Sequence, residues 1–393
     1  MRNEQMGGHN KRILKDIFLA TAAAVVAFAL ADPAMAEPRE FASKKAGLLV
    51  EPIATGLHHP WSVEVLPDGA YIVTERPGTL RIIRDGKVSA PVQGVPKVAA
   101  RGQGGLLDVA LAPDFAASRT LFLTYSAPGR GGAGTAVARA RLSQDEARLE
   151  DVRQIFVMGK LTQKGQHFGS RIAIAEDGSL FFGIGDRGEP ERAQDPRDHA
   201  GSILHINPDG GVPASNPYAG DSGGLPEVWS KGHRNPQGID IDPQDGTLIT
   251  AEHGARGGDE VNYPLPGRNF GWPVITYGKD YSGAEIGEGT AKKGYEQPAY
   301  YWDPSIAPGA IAVYRGAMFP EWQGNLLVAA LKYQLLVRLE RDETGAILGE
   351  ERLLDGAFGR LRDVKVAPDG AVLLLTDEDD GQLLRLYRAP SSQ

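Results

Sequence analysis

The sequence predicts an all-β fold, a six-bladed β-propeller with long loops on one face, from three observations. A strand–turn–strand unit recurs about six times along the 393 residues. The composition carries 50 Gly and 27 Pro in a chain that is 41% hydrophobic, which fits many short strands joined by tight turns around a real core. After residue 36 no helical periodicity outlasts a turn or two, and no linker breaks the composition, so a single domain over 37–393 is expected.

The first unit sets the pattern: Ser62-Val63-Glu64-Val65 alternates, Pro67-Asp68-Gly69 turns, and Tyr71-Ile72-Val73-Thr74-Glu75 returns, ending in a polar pair. It comes again at Leu107 to Thr124, at Arg171 to Gly183, at Ile239 to Glu252 and at Asp363 to Asp377. A degenerate copy runs from Val313 through Trp322-Gln323-Gly324 to Ala330. Stacked strand pairs on this scale make a propeller or a solenoid. Turn centres lie about 45 to 80 residues apart, wider than a minimal blade, so several units carry insertions. The longest, between Asp186 and Trp229 and between Tyr263 and Tyr301, are expected to gather on one face, where binding occurs.

The segment 1–36 reads as a cleaved signal peptide. Arg2, Lys11, Arg12 and Lys15 precede an apolar run from Ile17 to Ala31, too short for a bilayer, and Ala34-Met35-Ala36 has the small-x-small form of a signal-peptidase site. Lys11-Arg12 is not a twin-arginine pair, so the general secretory route, a periplasmic destination and no membrane insertion after cleavage are expected. An exported chain with no cysteine has no lipidated N-terminal Cys, no thiol nucleophile, no iron–sulfur cluster and no covalent c-type haem. If it moves electrons, a separate partner must take them. The formal charge is −8, and since residues 1–36 carry +1 the remainder carries −9, which argues against nucleic acid as a partner.

Four clusters stand out from the scaffold. Arg101-Gly102-Gln103-Gly104-Gly105 precedes the second unit, although a glycine-rich turn alone would look the same. Gln166-His167-Phe168-Gly169 precedes the third. A lone His is commonly a structural hydrogen-bonder, but His167 enters its strand at the phase of Gln103 and Arg234, so in a propeller all three point at the central axis. Imidazole also accepts a proton near neutral pH. The third cluster is Gly232-His233-Arg234-Asn235-Pro236-Gln237-Gly238 with Glu252-His253-Gly254-Ala255-Arg256-Gly257-Gly258-Asp259-Glu260. Its glycine density lets carbonyls turn inward toward a hard cation such as Ca²⁺, or makes a plain solvated loop. The fourth is basic. Lys332 follows one strand, and Arg360 and Arg362 lead into another. If the extended conformation already holds at Arg360, both arginines share the buried face of Val364 and Val366. Buried guanidiniums need anionic partners, and with Arg234 and Lys332 the inference is a small polyanionic ligand.

With these residues assembled, the chain resembles the soluble aldose sugar dehydrogenases that use pyrroloquinoline quinone, relatives of soluble glucose dehydrogenase. The resemblance covers about Gly56 to Arg388. It rests on the ordered set Gly102-Gln103-Gly104-Gly105, His167-Phe168-Gly169, Gly232 to Gly238, Glu252-His253-Gly254 with Gly257-Gly258-Asp259-Glu260, Tyr301-Trp302, Ala330-Leu331-Lys332 and Arg360-Leu361-Arg362-Asp363-Val364.

The resemblance implies roles. Lys332, Arg360 and Arg362 would hold the cofactor's carboxylates, Arg234 and Asn235 its quinone oxygens, and Trp302 would lie near its plane. The backbone carbonyls of Gly254 and Ala255 would bind Ca²⁺. His167 would take the proton of the anomeric hydroxyl, with Gln103 positioning substrate or cofactor. An aldose substrate, an external electron acceptor and a monomer or homodimer are expected. The chain departs from the glucose-specific branch at Gln166, where that branch has an acid, so the imidazole must be oriented from elsewhere. With Ala255 where relatives often have Pro, and with shorter insertions, this implies broad aldose specificity. Two other readings use the same fold: a calcium-dependent lactonase or related hydrolase, which needs carboxylate ligands on the axis, and a non-catalytic periplasmic binding propeller.

Overall fold

The computed structural model describes residues 37–220 and 223–390, so the segment read as a signal peptide lies outside the described residues. The strands form six antiparallel sheets arranged as blades. Blades are numbered I to VI here, and in each the first strand named is innermost. Blade I holds Pro60–Val65, Tyr71–Glu75, Thr79–Arg84 and Lys87–Val88. Blade II begins at Leu106–Leu111, blade III at Ile172–Ile174, blade IV at Pro236–Ile241, blade V at Pro308–Val313 and blade VI at Leu361–Val366.

The repeated turns follow from their residues. In blade I the Asp68 carboxylate accepts the Ala70 N–H, Gly69 takes φ +87°, and Leu66 N–H donates to Ala70 O at 2.8 Å. Asp177 with Gly178 and Asp369 with Gly370 build the same turn in blades III and VI. Alternation then buries one set of side chains against the next blade. Leu180, Phe182 and Leu204 of blade III, all fully buried, pack against Phe122 and Val137 of blade II.

Neighbouring inner strands are also tied by carboxylates. Asp108 of blade II accepts Ile172 N–H, Asp240 of blade IV accepts Val313 N–H, and Asp363 of blade VI accepts Val63 N–H, at 2.6, 2.7 and 2.9 Å. Arg171 crosses the axis, pairing with Asp108 and Asp363 and donating to the carbonyls of Gln237 and Gly309. A separate cavity of 420 Å³ opens beyond it, around Glu64, Asp240 and Lys365.

The ring is closed by the N-terminal end of the described chain. Gly47–Leu57 pairs with Gly381–Arg388, making blade VI a five-stranded sheet with Arg39–Ala42 at its edge. Among the described residues no helix is long and apolar enough to cross a membrane.

Candidate active site

The residues that immediately precede the inner strands gather at one end of the channel, and so do those that follow the second strands, because the two strands are antiparallel. His167 and Arg234 come from the first position in blades III and IV. Asp186, Glu252 and Asp377 come from the second, in blades III, IV and VI.

His167 sits in the left-handed region at φ 54°, over Gly185. A Cβ at Gly185 would lie 2.5 Å from the His167 carbonyl oxygen and 2.8 Å from its Cβ, so only glycine lets the imidazole down onto this strand end. Its backbone N–H donates to Gln103 Oε1 at 2.7 Å. Its Nδ1 meets Asp186 Oδ1 at 2.5 Å. Asp186 is itself held: Oδ1 accepts Gly188 N–H, Oδ2 accepts Trp272 Nε1–H at 2.8 Å, and its own N–H donates to Arg234 O.

Burial raises the Asp186 carboxyl, but the bond from His167, the Gly188 N–H and the Arg234 charge bring it below its ordinary value. Burial lowers His167, which the Asp186 bond only partly opposes, and Arg234 lowers it further. At neutral pH the pair is therefore a carboxylate and a neutral imidazole that donates from Nδ1 and leaves Nε2 free to accept. The sequence left the orienting group open, and Asp186 fills it. The signal that could have found it is the recurring acid at the end of a second strand: Glu75, Asp186, Glu252 and Asp377.

Arg234, buried, donates its N–H to Glu252 Oε2 and lies 5.2 Å over the Trp272 ring. Its Nη1 donates to the carbonyls of His253 and Gly254, while Nε has no partner. Glu252 also receives His233 Nδ1 and Asn262 Nδ2. Beside it, burial and the charge of Glu252 push Glu260 up to about 8. Asn235 is fully buried, accepts Gly169 N–H, and leaves Nδ2 unpartnered. Gln237 links it onward, donating to Asn235 Oδ1 and accepting from Arg362 Nη1. Arg362 also pairs with Asp377 at 2.9 Å and leaves Nε unpartnered. Burial, then the charges of Arg234 and Arg362, hold His253 down at about 3, so it is neutral and donates to Pro308 O.

Two cavities open here. His167, Asp186, Arg234 and Trp272 line one of 530 Å³. Gly254, Asp259, Asp303 and Lys332 line one of 650 Å³. Ala255 and Tyr281 belong to both walls. Gly254 has no room for a side chain, since a Cβ would lie 2.2 Å from the carbonyl oxygens of Gly257 and Gly258.

Two expectations are corrected. Arg360 is exposed and lies outside the inner strand Leu361–Val366, because a register shift between Leu361 and Asp363 breaks the alternation. Its Nη1 reaches only Leu331 O at 3.5 Å. Arg362 alone is buried, and Asp377 supplies its anionic partner. Trp302 lines neither cavity. It closes the outer edge of blade IV, packs with Ile306 and Val328 toward blade V, and donates Nε1–H to Glu350 at 2.7 Å.

The donor set fits a polyanionic ligand. Arg234 Nε, Asn235 Nδ2 and Arg362 Nε are buried without acceptors; Arg234 lines the smaller cavity while Asn235 and Arg362 line neither, and each such group costs about 1–3 kcal/mol until an acceptor reaches it. Lys332 adds an exposed cation to the wall. For Ca²⁺, the guanidinium of Arg234 already places positive charge on the Gly254 carbonyl, so that oxygen is disposed to a cation, and an ion there requires Nη1 to move off it.

The sequence matches the profile of the Glucose / Sorbosone dehydrogenase family over residues 57–385. It is 42% identical over 344 residues to the aldose sugar dehydrogenase of Escherichia coli (strain K12), covering 86% of this chain and 92% of that protein. The fold superposes on the crystal structure of the soluble aldose sugar dehydrogenase from Escherichia coli in the apo-form, with TM-score 0.84 and 41% identity over 87% of this chain and all of that one. It also superposes on the PQQ-bound form of the aldose sugar dehydrogenase from Streptomyces coelicolor, with TM-score 0.72 and 27% identity over 87% and 99% of the two chains.

Proposed function

The chain belongs to the glucose/sorbosone dehydrogenase family, and from that premise we propose that it is a quinoprotein oxidising the anomeric carbon of aldose sugars to lactones. The observation that carries the reading is the pairing, at one channel end, of a neutral imidazole fixed by a carboxylate with three buried donors that lack acceptors. When bound, pyrroloquinoline quinone supplies the two-electron acceptor for hydride, and Ca²⁺ at the carbonyls of Gly254 and Ala255 supplies Lewis-acid polarisation.

The chain's own residues do the rest. His167 Nε2 takes the proton of the anomeric hydroxyl, and Asp186 holds the tautomer that makes this possible and steadies the imidazolium that results. Gln103 fixes the backbone of His167. Arg234 and Asn235 would hold the quinone oxygens, while Arg362, Lys332 and the exposed Arg360 would hold the carboxylates. Trp272, beneath the Arg234 guanidinium and bonded to Asp186, joins the base to the cation site. Electrons leave to a separate acceptor, since a chain without cysteine carries no covalent haem or iron–sulfur cluster to receive them. The N-terminal 36 residues support a periplasmic destination.

The hydrolase reading needs free carboxylates at this end. Asp186, Glu252, Asp259 and Asp377 are each engaged with N–H groups or guanidinium, which leaves, in the wall of the larger cavity, the exposed Asp303 as a lone carboxylate rather than a ligand set.

The test is aldose-dependent dye reduction by purified protein, with and without added pyrroloquinoline quinone and Ca²⁺, beside His167→Ala. The expected result is activity only with both additions and a fall of at least ~100-fold in the variant. Absence of activity together with an unchanged melting temperature on adding the quinone would refute the proposal.

A further inference from the structure

Blade I begins differently from its neighbours. The two residues before its inner strand are His58 and His59, and the loop facing them, after the second strand of blade VI, is Asp377-Glu378-Asp379-Asp380. Consecutive residues of an extended strand point to opposite faces. Here His59 has φ 46°, and the left-handed step brings both imidazoles to one side, with ring centroids 5.1 Å apart.

The two loops are stapled together: His59 N–H donates to the Glu378 backbone O at 2.9 Å, and Gly56 N–H to the Asp380 side-chain Oδ1 at 2.9 Å. Glu75 fixes the same corner by accepting His58 N–H at 2.8 Å. A ligand atom from each of His58, His59 and Asp379 falls within 4.8 Å of the others. His59 Nε2 lies 2.9 Å from Asp379 Oδ1, and His58 Nδ1 lies 4.0 Å from it.

The outer contacts are those of an imidazole prepared for a metal. Asp377 Oδ1 meets His59 Nδ1 at 2.9 Å, and Asp377 is held on its other side by Arg362 Nη2 at 2.9 Å. With Asp377 on Nδ1–H, as outer carboxylates stand at metal-bound histidines, Nε2 is the ring atom left for a metal, which on entering displaces the proton that Nε2 shares with Asp379. Two imidazoles and one carboxylate select borderline divalent transition ions, of which Zn²⁺ is the commonest, and are poor ligands for Ca²⁺ or Mg²⁺, which want oxygen alone. Side-chain exposures of 55% for His58 and 88% for Asp379 leave an entry path and room for water to complete the coordination.

We infer that His58, His59 and Asp379 form a site for a divalent transition ion of the Zn²⁺ class on the rim of the channel end that holds His167. The assignment of these ligands does not rest on the redox reading above, since none of them lines either cavity described there. Its coupling to the channel is direct: the chain from His59 through Asp377 reaches Arg362 in two hydrogen bonds. An ion on His59 therefore pins the carboxylate that holds Arg362.

Calorimetric titration of Zn²⁺ into the tag-free protein, with millimolar Ca²⁺ present to fill oxygen sites, tests this beside His58→Ala and Asp379→Ala. Both positions are solvent-exposed, so the metal-free variants should keep the circular dichroism and melting temperature of the parent. The expected result is one Zn²⁺ per chain in the parent and affinity at least ~10-fold weaker in each variant, with Co²⁺ giving a visible absorption band that both variants lose. No stoichiometric binding in the parent, or binding that both variants retain, would overturn the assignment, the second result placing the ion on other ligands.

Discussion

Replacing Asp186 by Asn removes one negative charge and leaves the shape of the site almost unchanged, so it isolates what the carboxylate does for His167. Two consequences follow from the geometry. The 2.5 Å contact to Nδ1 now faces an amide that can turn its NH₂ toward the ring, and an imidazole accepting at Nδ1 carries its proton on Nε2, where it is no longer a base. The imidazolium formed in the reaction also loses its counter-charge. General-base catalysis contributes about 10²–10⁴-fold, so the fall in kcat should lie in that range, about 3–5 kcal/mol at 1.36 kcal/mol per decade. The amide can satisfy only one side: oxygen toward Trp272 Nε1–H turns NH₂ toward His167 but sets it against the Gly188 N–H, while oxygen toward His167 and Gly188 leaves Trp272 facing NH₂, so either orientation strands a donor and loosens the imidazole.

The assay is kcat against pH at saturating sugar and cofactors, with the melting temperature of each protein measured alongside. Because rate requires neutral His167, activity in the parent falls as pH drops through its pKa, which burial holds below the ordinary 6.5. Asp186 opposes that depression, so in Asp186→Asn the acid limb moves to still lower pH while the plateau falls. A plateau within about 3-fold of the parent, or an acid limb that does not move, would show that His167 is not a base oriented by this carboxylate.

Other outcomes follow from the same contacts. Gly185→Ala puts a methyl 2.5 Å from the His167 carbonyl oxygen and 2.9 Å from that of Arg234, and overpacking of this kind should cost about 1–3 kcal/mol in chemical denaturation and depress activity with it. Asp377 is lowered from 3.8 to about 2 although burial raises it, because Arg362 and the bond from His59 hold its charge. A depressed carboxyl contributes stability that is complete above the unfolded value and is lost as pH falls through the folded one. The parent should therefore lose about 2 kcal/mol between about pH 5 and 2, and Asp377→Asn should lack that portion of the acid dependence in urea titrations. Lys332→Ala changes an exposed residue in the wall of the larger cavity, so the melting temperature without cofactor should hold while quinone affinity, read by fluorescence titration, weakens about 10-fold or more.

The sequence by itself determined the architecture and the end of the channel where chemistry gathers. Alternation and Pro-Asp-Gly turns are local signals, written within ten or so residues, and five of the six inner strands carry them plainly. That His167 and Arg234 belong to loops leading into inner strands was readable for the same reason, but His167 lies five residues before Ile172 at φ 54°, so its turn and not strand phase sets its direction. What required the tertiary structure was every contact across blades or across a bulge. Asp186 meets His167 from 19 residues away, and Trp272 reaches Asp186 from 86 residues beyond that. Gly47–Leu57 finds its partner at Gly381–Arg388, at opposite ends of the chain, and no turn signal announces a pairing closed only by the ring. The bulge after Leu361 puts Arg362 inside and leaves Arg360 out, an outcome strict alternation cannot yield because one shifted residue reverses the faces. Trp302 is adjacent in sequence to loops that line the site, yet its place as an outer-edge residue of blade IV sends its ring into the seam with blade V. Patterns along the chain encode which residues share a strand face. Which faces meet is decided by the closed ring.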